Sequence, residues 1–141
     1  MDIDYSVIKA ILKKLKEMQS PYVSSDEFYL NYLESNCKGF IFHWHLIIEN
    51  NLISTNKNEI NNILDSGLNP SLQNPLKFSQ NSIKQLRLTN RGIDFLSSLE
   101  KPEITTIILD KFKNEGLSSV IDITKKLAIK VLEKKIDHII S

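Results

Sequence analysis

The chain has 141 residues, 41% of them hydrophobic, which suffices for one domain or for one small domain with a helical extension. Its 18 Lys and Arg residues are balanced by 17 Asp and Glu residues, so no field of the whole molecule draws it to nucleic acid or to a membrane surface. The single cysteine, Cys37, excludes an internal disulfide and a multi-cysteine zinc site, and no apolar run approaches the ~20 residues that span a bilayer.

A first helix of about five turns is predicted near the N-terminus. Apolar side chains recur there at helical spacing, at Ile3, Val7, Ile8, Ile11, Leu12, Leu15 and Met18. Lys9, Lys13 and Lys16 lie on the opposite face, which is most simply a solvated surface. The segment opens acidic and lacks the continuous apolar core of a signal peptide, so a cytoplasmic protein is expected.

Two further helices are predicted before residue 52. Ser24 and Glu27 have the Ser-x-x-Glu spacing of a capping box, which would open a second helix over about residues 26–35. Residues 36–39 are predicted to form a turn. The third helix follows from the three-and-four spacing of Ile41, Trp44, Ile47, Ile48 and Leu52. This spacing favours a core position for Trp44, and Asn50-Asn51 is predicted to end the helix.

A β-hairpin with a long insertion is predicted next. Leu52 to Thr55 forms its first strand and Ile83 to Leu88 its second. Residues 57–82 form a long wing insertion, because hairpin loops ordinarily have about 2–5 residues. Either local packing orders this insertion or it is mobile, and residues 58–64 could form a short helix.

Another helix is predicted directly after the hairpin. Thr89 supplies its N-cap oxygen, and Gly92 allows a close approach to a neighbouring segment. Lys101-Pro102 ends it. The predicted domain therefore covers residues 1–100.

A two-helix C-terminal extension is predicted over residues 101–141. Its first helix covers residues 103–115 with Gly116 as the C-cap, and its second covers about residues 118–140. The last helix is too apolar on one side to stand alone. It must complete the core or pair with a second copy in a homodimer.

The order helix, helix, helix, strand, strand, helix resembles that of a winged helix-turn-helix domain. The stretches that carry the likeness are MDID at 1–4, FHWHLI at 42–47, ENNLI at 49–53, LTNRGIDFL at 88–96 and GLSSV at 116–120. Through them the chain resembles a phage- and prophage-associated family known as domain of unknown function 2513, over about residues 1–56 and 83–139. The insertion is longer than in that family, and Phe42 stands where tyrosine is common. The resemblance implies a mainly α fold with a small β-hairpin and a phage setting, but no reaction.

DNA binding is the first functional hypothesis, because winged helices often place the third helix in the major groove. Such binding requires cationic side chains, yet no Lys or Arg lies between Gly39 and Leu52. The negative charge of Glu49 would be repelled by the phosphates. The candidate DNA contacts are Lys38, His43, Asn50, Lys84, Arg87 and Arg91. They predict a regulator-like module that binds double-stranded DNA weakly and with strong salt dependence. The alternative is a protein-interaction module that engages a host, phage or defence protein and does not bind DNA.

Metal binding and catalysis are disfavoured. His43, His45 and Cys37 suggest a metal site, but residues two apart on a helix point ~200° away from each other. The sequence has no phosphate-cradling glycine loop, no Gly-x-Ser-x-Gly motif and no evident carboxylate pair. We therefore expect a non-enzymatic protein without metal or cofactor.

Overall fold

The computed structural model describes residues 2–18, 20–32, 37–57, 59–70 and 78–140, and it is mainly helical with a small antiparallel sheet. The helices in this part of the chain are α1 (Tyr5–Met18), α2 (Ser25–Tyr29), α3 (Cys37–Glu49), α4 (Asn90–Leu99), α5 (Pro102–Lys111) and α6 (Leu117–Ile140). The strands are β1 (Val23–Ser24), β2 (Ile53–Thr55), β3 (Leu68–Pro70), β4 (Phe78–Gln80) and β5 (Gln85–Leu88), and a 3-10 helix covers Ile63–Ser66.

The main sheet has three antiparallel strands in the order β1-β5-β2. Ile53 of β2 pairs with Leu88 of β5, and Val23 of β1 pairs with Leu86 on the other side of β5. The predicted pairing of the two hairpin strands is therefore confirmed. The strand β1 was not predicted, because two residues are too few for an alternating pattern to be recognised.

The core forms where α1 packs beneath α3, α4 and the sheet. Buried α1 residues recur at helical spacing, at Tyr5, Ile8, Ile11, Leu12 and Leu15. Trp44 and Ile47 of α3 are fully buried against the same core. The predicted core position of Trp44 is thus confirmed.

The boundaries of α2 and α3 differ from the prediction. Helix α2 ends at Tyr29, because the Asn31 side chain donates to the carbonyl of Phe28 at 2.9 Å and competes with further helical bonds. Residues 33–36 lie outside the described part. The predicted capping box is wrong, since Ser24 Oγ donates to Asp26 Oδ1 and makes no bond to a helix amide.

The turn predicted at residues 36–39 is also corrected. Cys37 to Gly39 form the first turn of α3, and residue 36 lies outside the described residues. The prediction was misled by a glycine that stands near the start of a helix. The Gly39 carbonyl accepts a hydrogen bond from the side chain of His43, one turn later in that helix. The third helix therefore begins earlier than its apolar pattern does.

The long insertion forms its own small structure in its described residues. Strands β3 and β4 pair antiparallel, and Ile60, Ile63 and Leu68 join the main core. The helix predicted at 58–64 is replaced by the single 3-10 turn. Asn62 and Asp65 cap that turn reciprocally, and Gly67 ends it with φ of 89°. Local packing thus orders these parts of the insertion.

An aromatic cluster holds the insertion against the helices. Its rings lie 4.0 to 6.1 Å apart between centroids and belong to Phe28, Tyr29, Tyr32, Phe40, Trp44 and Phe78. The Tyr29 hydroxyl donates to the Ser66 carbonyl at 2.6 Å, and the Trp44 indole donates to Ser66 Oγ at 3.2 Å. These two bonds join α2 and α3 to the 3-10 helix.

Helix α4 begins as predicted. Thr89 Oγ1 accepts the Gly92 amide at 3.0 Å, which confirms the N-cap. A Cβ at Gly92 would lie 2.1 Å from the Leu52 carbonyl oxygen, so the predicted close approach is confirmed as well.

The two C-terminal helices continue the same core. Ile104, Ile108, Leu117 and Val120 belong to one hydrophobic cluster with α1, so the start of α6 completes the core. Helix α5 ends at Lys111 rather than at residue 115, because the backbone leaves the helical region at Phe112.

The Gly116 C-cap prediction is wrong. The Gly116 carbonyl instead accepts the Val120 amide at 3.0 Å, as the first turn of α6 begins. The preceding segment is held to α1, since the Tyr5 hydroxyl donates to the Glu115 carbonyl at 2.5 Å. Gly116 therefore starts a helix and does not end one.

Candidate interaction surfaces

The surface that α3 presents outward combines apolar and polar side chains. We call the side chains Phe42, His45, Leu46 and Glu49 the α3 outer face, since their spacing of three and four residues places them on one side of the helix. The first three are half-buried and Glu49 is exposed. Phe42 and His45 were not predicted to face outward, although their spacing from Glu49 carries that signal.

His43 does not face outward, which corrects the prediction. It is 3% exposed, and its two ring nitrogens bond to the Gly39 carbonyl at 2.7 Å and to the Asp4 amide at 2.9 Å. Because Nε2 accepts the Asp4 amide proton, the ring proton lies on Nδ1 and is donated to Gly39. His43 therefore fastens the segment before α1 to α3 and is unavailable to DNA.

Asn50 and Arg91 come together at the C-terminal end of α3. Asn50 Nδ2 donates to the Leu46 carbonyl at 2.8 Å, and Arg91 Nε donates to the Asn50 carbonyl at 3.0 Å. The Arg91 bond satisfies the Asn50 carbonyl at the end of the helix, and the arginine charge also suits the helix dipole. The Leu46 carbonyl accepts the Asn50 backbone amide as well, at 3.1 Å. Part of each side chain's hydrogen-bonding capacity is thus used within the protein.

The other predicted cations lie on and before β5 and at the start of α3. Arg87 is half-buried in β5 and donates from Nη1 to the Leu88 carbonyl at 3.0 Å. Lys84 precedes β5, where its backbone bonds to Ser25 and its side chain lies against Gly67 of the insertion. Lys38 is in the first turn of α3, and its side chain lies outside the described part.

The groove beside the insertion also has mixed charge. Lys57 and Lys84 line it together with Glu59 and Asp65. A phosphate backbone would meet carboxylates as well as ammonium groups there. This part of the wing is therefore not an evident DNA-binding surface.

A second apolar stripe on α6 was missed from the sequence. It consists of Ile129, Leu132, Ile136, Ile139 and Ile140, all of which are exposed, and we call it the α6 outer stripe. The prediction recognised only that one side of this helix is apolar. The three-and-four spacing from Ile129 to Ile139 is the signal that could have revealed it.

No group of three or more His, Cys, Asp or Glu side chains in the described ranges is placed to hold a metal ion. The same ranges contain no helix with the length and apolar character needed to cross a membrane.

Comparison of the chain with protein-family models, with curated proteins and with solved structures gave no match. The resemblance to the phage-associated family depends on the quoted motifs and stays a prediction. Function is inferred here from the chain's own surfaces.

Proposed function

We propose that the protein is a non-enzymatic winged-helix module that binds another protein through the α3 outer face. In the phage setting implied by the sequence resemblance, the partner is a host or phage protein. The observation that carries the proposal is the composition of that face, which combines the apolar Phe42 and Leu46 with His45 and Glu49 and has no Lys or Arg among its four residues.

The order of elements supports the winged-helix assignment. A helix and a short strand precede α2 and α3, and the β2 and β5 strands then flank the insertion. In the main sheet, β5 is the last of the three strands along the chain, and it lies between β1 and β2. A wing built on this hairpin, with α4 packed after it, is the arrangement expected for such a domain.

The composition of the α3 outer face favours protein over DNA. The centre of a protein interface is depleted in charge and enriched in aromatic side chains, which suits Phe42 beside Leu46. DNA affinity depends instead on neutralising phosphates, and each neutralised phosphate contributes about −0.9 to the slope of log K against log salt. Arg87 and Arg91 alone would give a slope of only about −2, which is typical of weak binding.

DNA binding remains the rival function for one reason. Arg87 and Arg91 flank Thr89 beside the C-terminal end of α3, so two guanidinium groups are present near one edge of that helix. If they contact phosphates, replacing Lys84, Arg87 and Arg91 together abolishes a duplex-DNA complex. The protein-binding proposal expects no such complex at low or moderate salt.

The experiment compares three proteins in two assays. Wild type, Phe42→Glu and the control Ser119→Glu are tested for duplex-DNA and heparin binding at two salt concentrations, and as baits in capture from a lysate of the source cells. Ser119 is exposed on α6 and receives the same added charge. We expect a protein captured by wild type and control but not by Phe42→Glu. Equal capture by all three, or salt-sensitive DNA binding, would overturn the proposal.

A further inference from the structure

The C-terminal part of α6 extends beyond the packed body of the protein. The helix has 24 residues, a length of ~36 Å. Leu117, Val120, Ile121 and Thr124 are buried against α4 and α5, whereas residues 132–140 are all exposed. The folded body thus supports a helical arm whose large apolar side chains are exposed.

The arm has the spacing of a coiled-coil seam. Ile129, Leu132, Ile136 and Ile139 follow at intervals of three, four and three residues, as in the a and d positions of a heptad. Isoleucine and leucine are the aliphatic residues that typically fill these positions in coiled coils. This seam is rotated by roughly 100° from the buried stripe, so packing within the monomer leaves its side chains exposed by 46% to 78%.

We propose that the α6 outer stripe is the interface of a homodimer in which the arm packs against the same stripe of a second copy. An isologous contact needs a self-complementary surface, and a stripe of large aliphatic side chains without an intervening charge meets this need. Glu133 and Lys135 lie on opposite flanks of the seam. In a parallel pair these residues occupy the e and g positions at the edges of the seam, which leaves its centre apolar.

The exposed apolar area fits a dimer. Ile139 is 78% exposed, Ile140 77% and Leu132 57%. Isoleucine and leucine side chains are usually buried, so this exposure is unusual. The stripe exposes roughly 500 Å² per copy, close to the upper range for the largest apolar patch of a monomer. Two copies together bury on the order of 1,000 Å² of this stripe. A stable interface buries ~1,200 Å², so the charged residues beside the stripe need to contribute little additional buried area.

A groove next to the stripe adds further contact surface. It lies between α4 and α6, with Phe95, Ala128 and Leu132 among its lining residues and a volume of about 610 Å³. A partner helix seated on the stripe also covers the open side of this groove. The area available to the second copy therefore exceeds that of the stripe alone.

Sedimentation equilibrium tests the dimer with wild type, Ile136→Lys and the control Leu109→Lys. Leu109 is 42% exposed on α5 and Ile136 is 46% exposed, so both changes place a lysine at similarly exposed aliphatic positions on helices. We expect dimer mass for wild type and control, and half that mass for Ile136→Lys with an unchanged circular dichroism spectrum. The thermal midpoint of wild type should also rise with protein concentration, unlike that of Ile136→Lys.

A wild-type monomer across micromolar to millimolar concentration would overturn the proposal, as would a dimer that persists in Ile136→Lys. Neither result bears on the α3 outer face, which lies on another helix. Loss of capture by Phe42→Glu with an intact dimer would likewise separate the two proposals.

Discussion

The indole nitrogen of Trp44 donates a hydrogen bond to Ser66 Oγ at 3.2 Å, across 22 positions of the chain. Ser66 Oγ in turn donates to the Ile63 carbonyl at 2.6 Å, and the Ser66 carbonyl accepts the Tyr29 hydroxyl. One buried serine therefore connects α2, α3 and the insertion. This junction explains why the described parts of a long hairpin insertion pack against the core.

Replacing Ser66 with alanine is expected to destabilise the fold by about 1–3 kcal/mol, because the buried Trp44 donor loses its acceptor. Urea unfolding followed by tryptophan fluorescence measures the change. Ser82→Ala is the control, since Ser82 is exposed and its hydroxyl donates to the side chain of the neighbouring Asn81. A Ser66→Ala midpoint equal to that of the control would contradict the proposed junction.

His43→Ala is expected to cost about 1–3 kcal/mol, because the Gly39 carbonyl and the Asp4 amide both lose a partner and a cavity remains. His45→Ala should change stability by no more than about 0.5 kcal/mol, since that ring is half-buried on the outer face. Denaturant unfolding of the two variants gives the comparison. Similar losses in both would show that His43 is not the fastening residue described here.

Gly92→Ala is expected to lower stability by about 1–3 kcal/mol or more, because the added methyl group meets the Leu52 carbonyl and forces α4 away from the end of α3. The matched control is Gly116→Ala, whose Cβ meets nothing within 4 Å. Thermal unfolding distinguishes the two. If both glycines tolerate alanine equally, the close approach at Gly92 is not maintained in solution.

Stability is expected to fall at alkaline pH through the buried tyrosines. Burial raises the pKa of Tyr5 to about 12 and the pKa of Tyr32 to about 12, and it also raises the pKa of Tyr29. The pKa of an unfolded tyrosine is ~10, so the unfolded chain releases these protons first. The tyrosine contribution is complete below pH ~10 and is lost as the pH rises through the folded values.

Circular dichroism and tyrosinate absorbance, recorded together against pH, test this expectation. Tyr5→Phe should lower stability at neutral pH, because the bond to Glu115 is lost, and should make the alkaline decline less steep. Tyr22→Phe is the control, since Tyr22 is exposed. A decline of equal slope in wild type and Tyr5→Phe would exclude Tyr5 as a contributor.

Much of the fold could be predicted because its signals are local. The apolar period of α1, the N-cap at Thr89 and the extended character of residues 53–55 and 85–88 follow from adjacent residues. The candidate site could not be predicted in the same way. His43 and Phe42 are neighbours on one helix, and only the position of Asp4 and α1 determines which of them is buried.

The sequence by itself determined which faces of the helices are apolar, where strong caps and glycines stand, and that α3 has no cation between Gly39 and Leu52. Only the tertiary structure decided which apolar faces are covered. It buries His43 and Ser66, and it covers one stripe of α6 while leaving the other exposed. The physical reason is that side-chain period is a local property, whereas burial depends on segments that are distant in the chain.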